Sequence, residues 1–141
     1  MSSYFLGKRS LTRLHKLHPK LAACVSLAVT LTDVDFTVSE TIRTAERQKQ
    51  LYYGTPKRTW TLNSKHMIQS DGFGHAVDLV PLSPNGGPDW DKCPQVKDAM
   101  FKAAEILGIK IRWGGDWNQN GSSHDEHQRG SYDGPHFELL T

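Results

Sequence analysis

Asp78 stands in the middle of an apolar run, Ala76-Val77-Asp78-Leu79-Val80, where burying an unpaired carboxylate costs several kcal/mol. It therefore needs a cation or a set of donors. Side chains alternate across a strand, so Asp78 shares a face with Ala76 and Val80, while His75 points with Val77 and Leu79 to the other side. Two other histidines are better partners: His66, in Ser64-Lys65-His66 on the preceding loop, and His136, at the start of the last strand. Two imidazoles and a carboxylate from three separated segments match a catalytic zinc site, which keeps its fourth position for water. The structural alternative is that Asp78 pairs with Arg43 or Lys65. His15, His18 and His127 show no partner pattern and read as solvated or hydrogen-bonded side chains.

These residues must be positioned by elements that the hydrophobic periodicity outlines. Leu11, Leu14 and Leu17, then Leu21, Val25, Ala28 and Val29, recur at helical spacing. With Ser10 as N-cap and Pro19 in a first turn, this predicts a short helix to about Leu17 and a longer one from Pro19 to about Leu31. Alternation from Phe36 to Ile42 predicts a strand running into Arg43, after which Thr44 caps a helix over Ala45 to Tyr53 ending at Gly54. Thr55 to Gly74 reads as loop, Ala76 to Leu82 as a strand and Pro84 to Pro88 as a turn. A helix starting at Pro94 and stopped by Gly108 follows, then a short strand from Ile109 to Arg112. Trp113 to Asp133 is a loop of about 20 residues, a length that in a compact domain usually has a function. His136 to Leu140 closes the chain as a strand. The order implies a single α+β domain over residues 1–141, with helices on a small, mostly antiparallel sheet.

Composition narrows the class. A chain of 141 residues buries about two thirds of its surface on folding, enough for a core without metal or disulfide staples. With 17 basic and 15 acidic side chains interspersed, net +2, the chain lacks the basic footprint of a nucleic-acid binder. Cys24 and Cys93 form no CxxC pair and read as buried thiols. The longest near-apolar stretch, Leu21 to Leu31, is too short to span a bilayer, so no membrane insertion is expected. Arg13, His15, Lys16 and His18 interrupt the place of a signal-peptide apolar segment, so no export signal is expected.

Ser64-Lys65-His66, Gly74-His75-Ala76-Val77-Asp78 and Asp133-Gly134-Pro135-His136 with Phe137-Glu138-Leu139 behind it resemble the zinc peptidases that comprise D-Ala-D-Ala carboxypeptidases and L-Ala-D-Glu endopeptidases. Ile42-Arg43-Thr44 is similar to that family's arginine segment. Arg112-Trp113-Gly114-Gly115-Asp116-Trp117 resembles its bacteriophage endolysin branch. The match covers roughly residues 34 to 140, with the motifs in the family's order. It implies a fold like that of the hedgehog and DD-peptidase domains, with zinc on His66, Asp78 and His136. The family's first histidine stands seven positions before the aspartate. Here the interval is twelve, which implies a five-residue insertion around Ile68 to Gly72 and leaves His75 as the alternative to His66 for the first ligand.

Through the same resemblance, Asp133 is the catalytic carboxylate that takes a proton from zinc-activated water, provided that Gly134-Pro135 turns the chain. Glu138 is either the base or a partner orienting a ligand histidine. Arg43 is the cation that meets the developing oxyanion or a substrate carboxylate. Asp116-Trp117-Asn118-Gln119-Asn120-Gly121 reproduces the first half of an EF-hand loop, with Asp125 and Glu126 shortly after. It reads as a calcium site, as in similar phage members of the family, or as a hydrogen-bonded turn. The expected activity is that of an endolysin cutting the L-Ala-D-Glu bond of the peptidoglycan stem peptide. It would act as a monomer, held in the host cytoplasm until lysis, and then on the periplasmic wall of a Gram-negative host. A D-Ala-D-Ala carboxypeptidase is the rival within the same chemistry, and a zinc-containing wall-binding module the rival outside it.

Overall fold

The computed structural model describes residues 4–40, 44–55, 57, 65–129 and 132–140. Among the described residues, five α-helices, α1 (Lys8–Leu14), α2 (Pro19–Leu31), α3 (Ala45–Tyr53), α4 (Cys93–Leu107) and α5 (His124–Arg129), accompany four strands. The strands β1 (Phe36–Glu40), β2 (Ala76–Pro81), β3 (Ile111–Trp113) and β4 (His136–Leu139) form one antiparallel sheet in the order β1-β2-β4-β3. This is the α+β architecture that the pattern of elements implied.

Two amphipathic helices cover one face of the sheet. On α2 the buried residues are Leu21, Cys24, Val25, Ala28 and Val29, and on α4 Val96, Ala99, Met100, Ala103 and Ala104. Both sets follow the i, i+3, i+4, i+7, i+8 stripe of a helix that packs on one side only. Against them lie Val38, Val77, Leu79, Phe137 and Leu139 from the sheet. The thiols belong to this core: Cys24 Sγ donates to the Met100 carbonyl at 3.4 Å, and burial pushes Cys24 up to about 12 and Cys93 to about 11. Among the described residues no helix is long and apolar enough to cross a membrane.

Several boundaries differ from the sequence expectation: α1 ends at Leu14 and not near Leu17, α4 begins at Cys93 and not Pro94, β3 ends at Trp113 and not Arg112, and β4 ends at Leu139 and not Leu140. Ser10 does not cap α1, which begins two residues earlier after Gly7. Instead its Oγ is buried, shares a hydrogen bond with Thr37 Oγ1 and accepts the Val38 amide, both at 3.0 Å, so it serves the edge strand β1. Ile109 is not in β3, because its amide closes the end of α4 on the Ala104 carbonyl at 3.0 Å while Gly108 takes φ +70°, a left-handed cap suited to glycine. Strand β2 stops at Pro81. The expected long loop contains α5, whose polar sequence HDEHQR has no apolar period to announce it. The expected continuation of β1 into Arg43 lies outside the described residues.

Candidate active site

Strand register assembles the centre. Asp78 on β2 lies directly opposite His136 on β4, Ala76 opposite Glu138, and Arg112 on β3 opposite Glu138. Residues directly opposite one another share a face of the sheet, so Asp78, His136, Glu138 and Arg112 all project away from the face covered by α2 and α4. His66 arrives from the loop before β2. There the Lys65 carbonyl accepts the His75 amide at 2.8 Å, Ile68 bridges Gly74, and the Gln69 amide reaches the Phe73 carbonyl at 2.9 Å. The expected insertion is thus the tip of a small hairpin. Its length is spent away from the sheet, and His66 remains at the stem beside Asp78.

His66 Nε2 lies 3.2 Å from Asp78 Oδ1 and 3.2 Å from His136 Nδ1, and His136 Nδ1 lies 3.5 Å from Asp78 Oδ1. Bonds of 2.0–2.1 Å to one tetrahedral zinc would put its ligand atoms about 3.3 Å apart, which is the spacing observed. Asp78 Oδ1 is buried without a well-aligned hydrogen bond, and both histidines are buried. Burial opposes charge on Asp78, yet His136 and His66 beside it hold the carboxyl well below its usual range. Burial likewise opposes protonation of His136, but Asp78 and Glu138 outweigh it and push the imidazole up to about 9. The two carboxylates therefore favour a positive charge at this point, which a proton on His136 or a bound cation supplies. His75, the substitute ligand, turns elsewhere: its Nε2 meets Asp71 Oδ2 at 2.7 Å.

Glu138 lies behind His136. Its Oε1 is 3.0 Å from His136 Nε2, and its Oε2 accepts from the Arg112 guanidinium at 2.8 Å. Burial raises the Glu138 carboxyl, and His136 and Arg112 overcome that and lower it. A carboxylate in this place fixes the ring with Nδ1 turned toward the other two ligands. Both of its oxygens are engaged, the arrangement of a partner that orients a ligand histidine. Arg112 also lies 5.4 Å from the Trp117 ring, which is tilted over His136 at 5.0 Å. The sequence reading did not assign Arg112 and Trp117 to the site, although both stand in its Arg112–Trp117 motif.

Asp133 occupies the first position of a turn through Gly134 and Pro135, with the His136 amide on the Asp133 carbonyl at 3.1 Å. This is the turn its expected role required. The Asp133 side chain is exposed, and its charge adds to the rise of His136. The turn is clamped to Gly114, whose carbonyl accepts the Asp133 amide and whose amide donates to the His136 carbonyl, both at 2.8 Å. A Cβ on Gly114 would lie 2.9 Å from His136 Cβ and within contact distance of the Asp133 backbone. Gly114→Ala is therefore expected to destabilise the chain by about 1–3 kcal/mol and to displace Asp133. Thermal melting together with turnover at saturating metal checks this, and an unchanged melt would refute it.

In the Asp116 loop, Asp116 Oδ1 accepts the Asn120 amide at 3.0 Å and Oδ2 the Gly121 amide at 2.8 Å, while Asn120 Oδ1 accepts the Ser122 amide at 2.9 Å. Asn118 Oδ1 faces the Asn120 amide at 3.3 Å. Glu126 reaches the loop from α5, buried, with Oε1 lacking a hydrogen-bond partner. Arg43 and the Asp125 side chain lie outside what the structure describes.

This chain is similar to known proteins along its whole length. The family described as phage L-alanyl-D-glutamate peptidase matches residues 1–140. The L-alanyl-D-glutamate peptidase of Escherichia phage T5 is 38% identical over 142 residues, covering 98% of this chain and 99% of that protein. The crystal structure of the Serratia marcescens L-Ala D-Glu endopeptidase ChiX superposes with a TM-score of 0.76 at 33% identity, covering 98% of this chain and 92% of the other. The similarity extends to α1 and α2, ahead of the motifs that carry the resemblance in the sequence.

Proposed function

The chain belongs to the phage L-alanyl-D-glutamate peptidase family, and from that premise we propose that it is a single-domain zinc peptidase cutting the L-Ala-D-Glu bond of the peptidoglycan stem peptide. The observation that carries the reading is the mutual spacing of 3.2–3.5 Å among His66 Nε2, Asp78 Oδ1 and His136 Nδ1. These three would hold the metal. Zinc bound by three protein groups leaves one position for water and lowers that water's pKa towards about 7.

Asp133, whose exposed side chain leads the turn into His136, takes the proton from the attacking water and delivers it to the departing amine of D-Glu. Glu138 and Arg112 keep the His136 ring oriented. Arg43 retains the role that the resemblance gives it, meeting the oxyanion or a substrate carboxylate. The protein works as a monomer, stays in the host cytoplasm until lysis and then acts on the wall of a Gram-negative host.

Mass spectrometry of peptidoglycan digested by the metal-loaded protein, with a chelated control, tests this function. Metal-dependent fragments that begin with D-Glu are the expected result. Release of terminal D-Ala alone would make the protein a carboxypeptidase, and zinc binding without cleavage would make it a wall-binding module.

Calcium is the second ion, held by Asp116, Asn118, Asn120 and Glu126, with Asp125 adjacent. The buried, unsatisfied Glu126 Oε1 supports this, since such an oxygen needs a partner. Calcium in excess is expected to raise the melting temperature by several degrees and Glu126→Gln to abolish the rise, because an ion that binds only the folded chain stabilises it. Equal melts with calcium and with chelator would remove this ion from the account.

A further inference from the structure

A second histidine–aspartate–histidine group stands apart from the one just described. His18 caps the N-terminus of α2, Asp71 lies in the tip of the inserted hairpin, and His75 lies where the hairpin returns to β2. Each offers a ligand atom within 4.8 Å of the others. Asp71 Oδ2 is 2.7 Å from His75 Nε2 and 3.8 Å from His18 Nε2, and the two rings meet edge to face at 5.2 Å.

The backbone beneath them is fixed. The His18 amide donates to the Gly74 carbonyl, the Gly74 amide donates to the Lys16 carbonyl, both at 2.9 Å, and Leu17 bridges Gly74. Two imidazoles are therefore held on either side of one carboxylate without any chain movement. Asp71 is 39% exposed, which lets its side chain rotate and lets water complete a coordination shell.

We propose that His18, Asp71 and His75 form a second, solvent-facing site for a divalent transition metal of the zinc type, which fastens the inserted hairpin to the α1–α2 junction. Imidazole and carboxylate suit that class of ion. Nothing in the catalytic reading uses these residues, and the site is independent of it.

The proton positions set its strength. His18 Nδ1 accepts the Lys20 amide at 3.1 Å, so in the metal-free chain the ring proton is on Nε2. Binding through Nε2 moves that proton to Nδ1 and gives up the cap hydrogen bond. His75 Nδ1 is buried without a hydrogen-bond partner, so no bond is lost when the proton moves there, but none is gained. Both adjustments make this site weaker than the one at His66, where Glu138 already holds His136 in its ligating form.

The test is a Zn²⁺ titration of the metal-free, full-length chain against a chromophoric chelator, with calcium saturating. Two equivalents are expected, one tight and one weaker by about tenfold or more. His18→Asn, in which asparagine still caps α2, and Asp71→Asn should each lose the weaker equivalent only. Hydrolysis at one equivalent of zinc should stay within twofold of the unmodified chain. The second equivalent should also slow amide exchange at residues 68–73, and do so only in the unmodified chain. Asp78→Asn should remove the tight equivalent and spare the weak one, which separates this proposal from the catalytic reading. A single equivalent in the unmodified chain, or a second one that survives in both His18→Asn and Asp71→Asn, would overturn the proposal.

Discussion

His66→Ala and Asp78→Ala are each expected to lose tightly bound zinc and peptidoglycan hydrolysis together. The expected loss of activity is the largest of any substitution, because the attacking water reverts from a pKa near about 7 to that of bulk water, about 15.7. A drop of more than roughly a thousandfold in turnover follows, even if substrate binding is untouched. The geometry behind the prediction is the 3.2 Å approach of His66 Nε2 to Asp78 Oδ1 and to His136 Nδ1, so that each side chain supplies one of three converging ligand atoms. His75→Ala should keep the tight equivalent and the activity, since His75 is engaged by Asp71. Metal analysis after dialysis, beside circular dichroism to confirm folding, checks the set. Retention of the tight equivalent by His66→Ala together with its loss in His75→Ala would reverse the assignment of the first ligand.

The second large effect separates chemistry from metal binding. Asp133→Asn is expected to keep zinc and the fold and to lose about 10²–10⁴ in turnover, the usual contribution of a positioned base. Its side chain is exposed, so stability should move by no more than about 0.5 kcal/mol. Glu138→Gln should behave in the opposite sense. The buried charge that orients His136 is removed, zinc binds about 10–100-fold more weakly, and turnover at saturating zinc largely returns. Parallel measurement of zinc affinity and of kcat resolves the two roles. If Glu138→Gln kept its zinc and lost turnover while Asp133→Asn stayed active, Glu138 would be the base.

Local pattern was legible in the sequence because local physics decides it. The apolar stripes of α2 and α4, the Thr44 and Gly108 caps and the alternation of β2 need only neighbours within a turn or a strand to be read. The residue types of a metal site were legible for the same reason, since a carboxylate inside an apolar strand announces a need for partners. The alternation that sends Asp78 and His75 to opposite sides was enough to make His75 a poor neighbour for Asp78.

Tertiary structure decided what depends on register and on distant packing. Whether the twelve-residue interval would carry His66 away from Asp78 turned on the hairpin from Lys65 to His75, whose backbone bonds absorb the insertion. The place of Glu138 came from its position opposite Arg112 on the next strand, a pairing that no spacing along the chain reveals. His18 reads in isolation as a solvated ring, yet the α1–α2 junction sets it against a hairpin more than fifty residues away. Residue types follow from the chain alone, but a site is a set of distances, and those are fixed only when the sheet and its loops close.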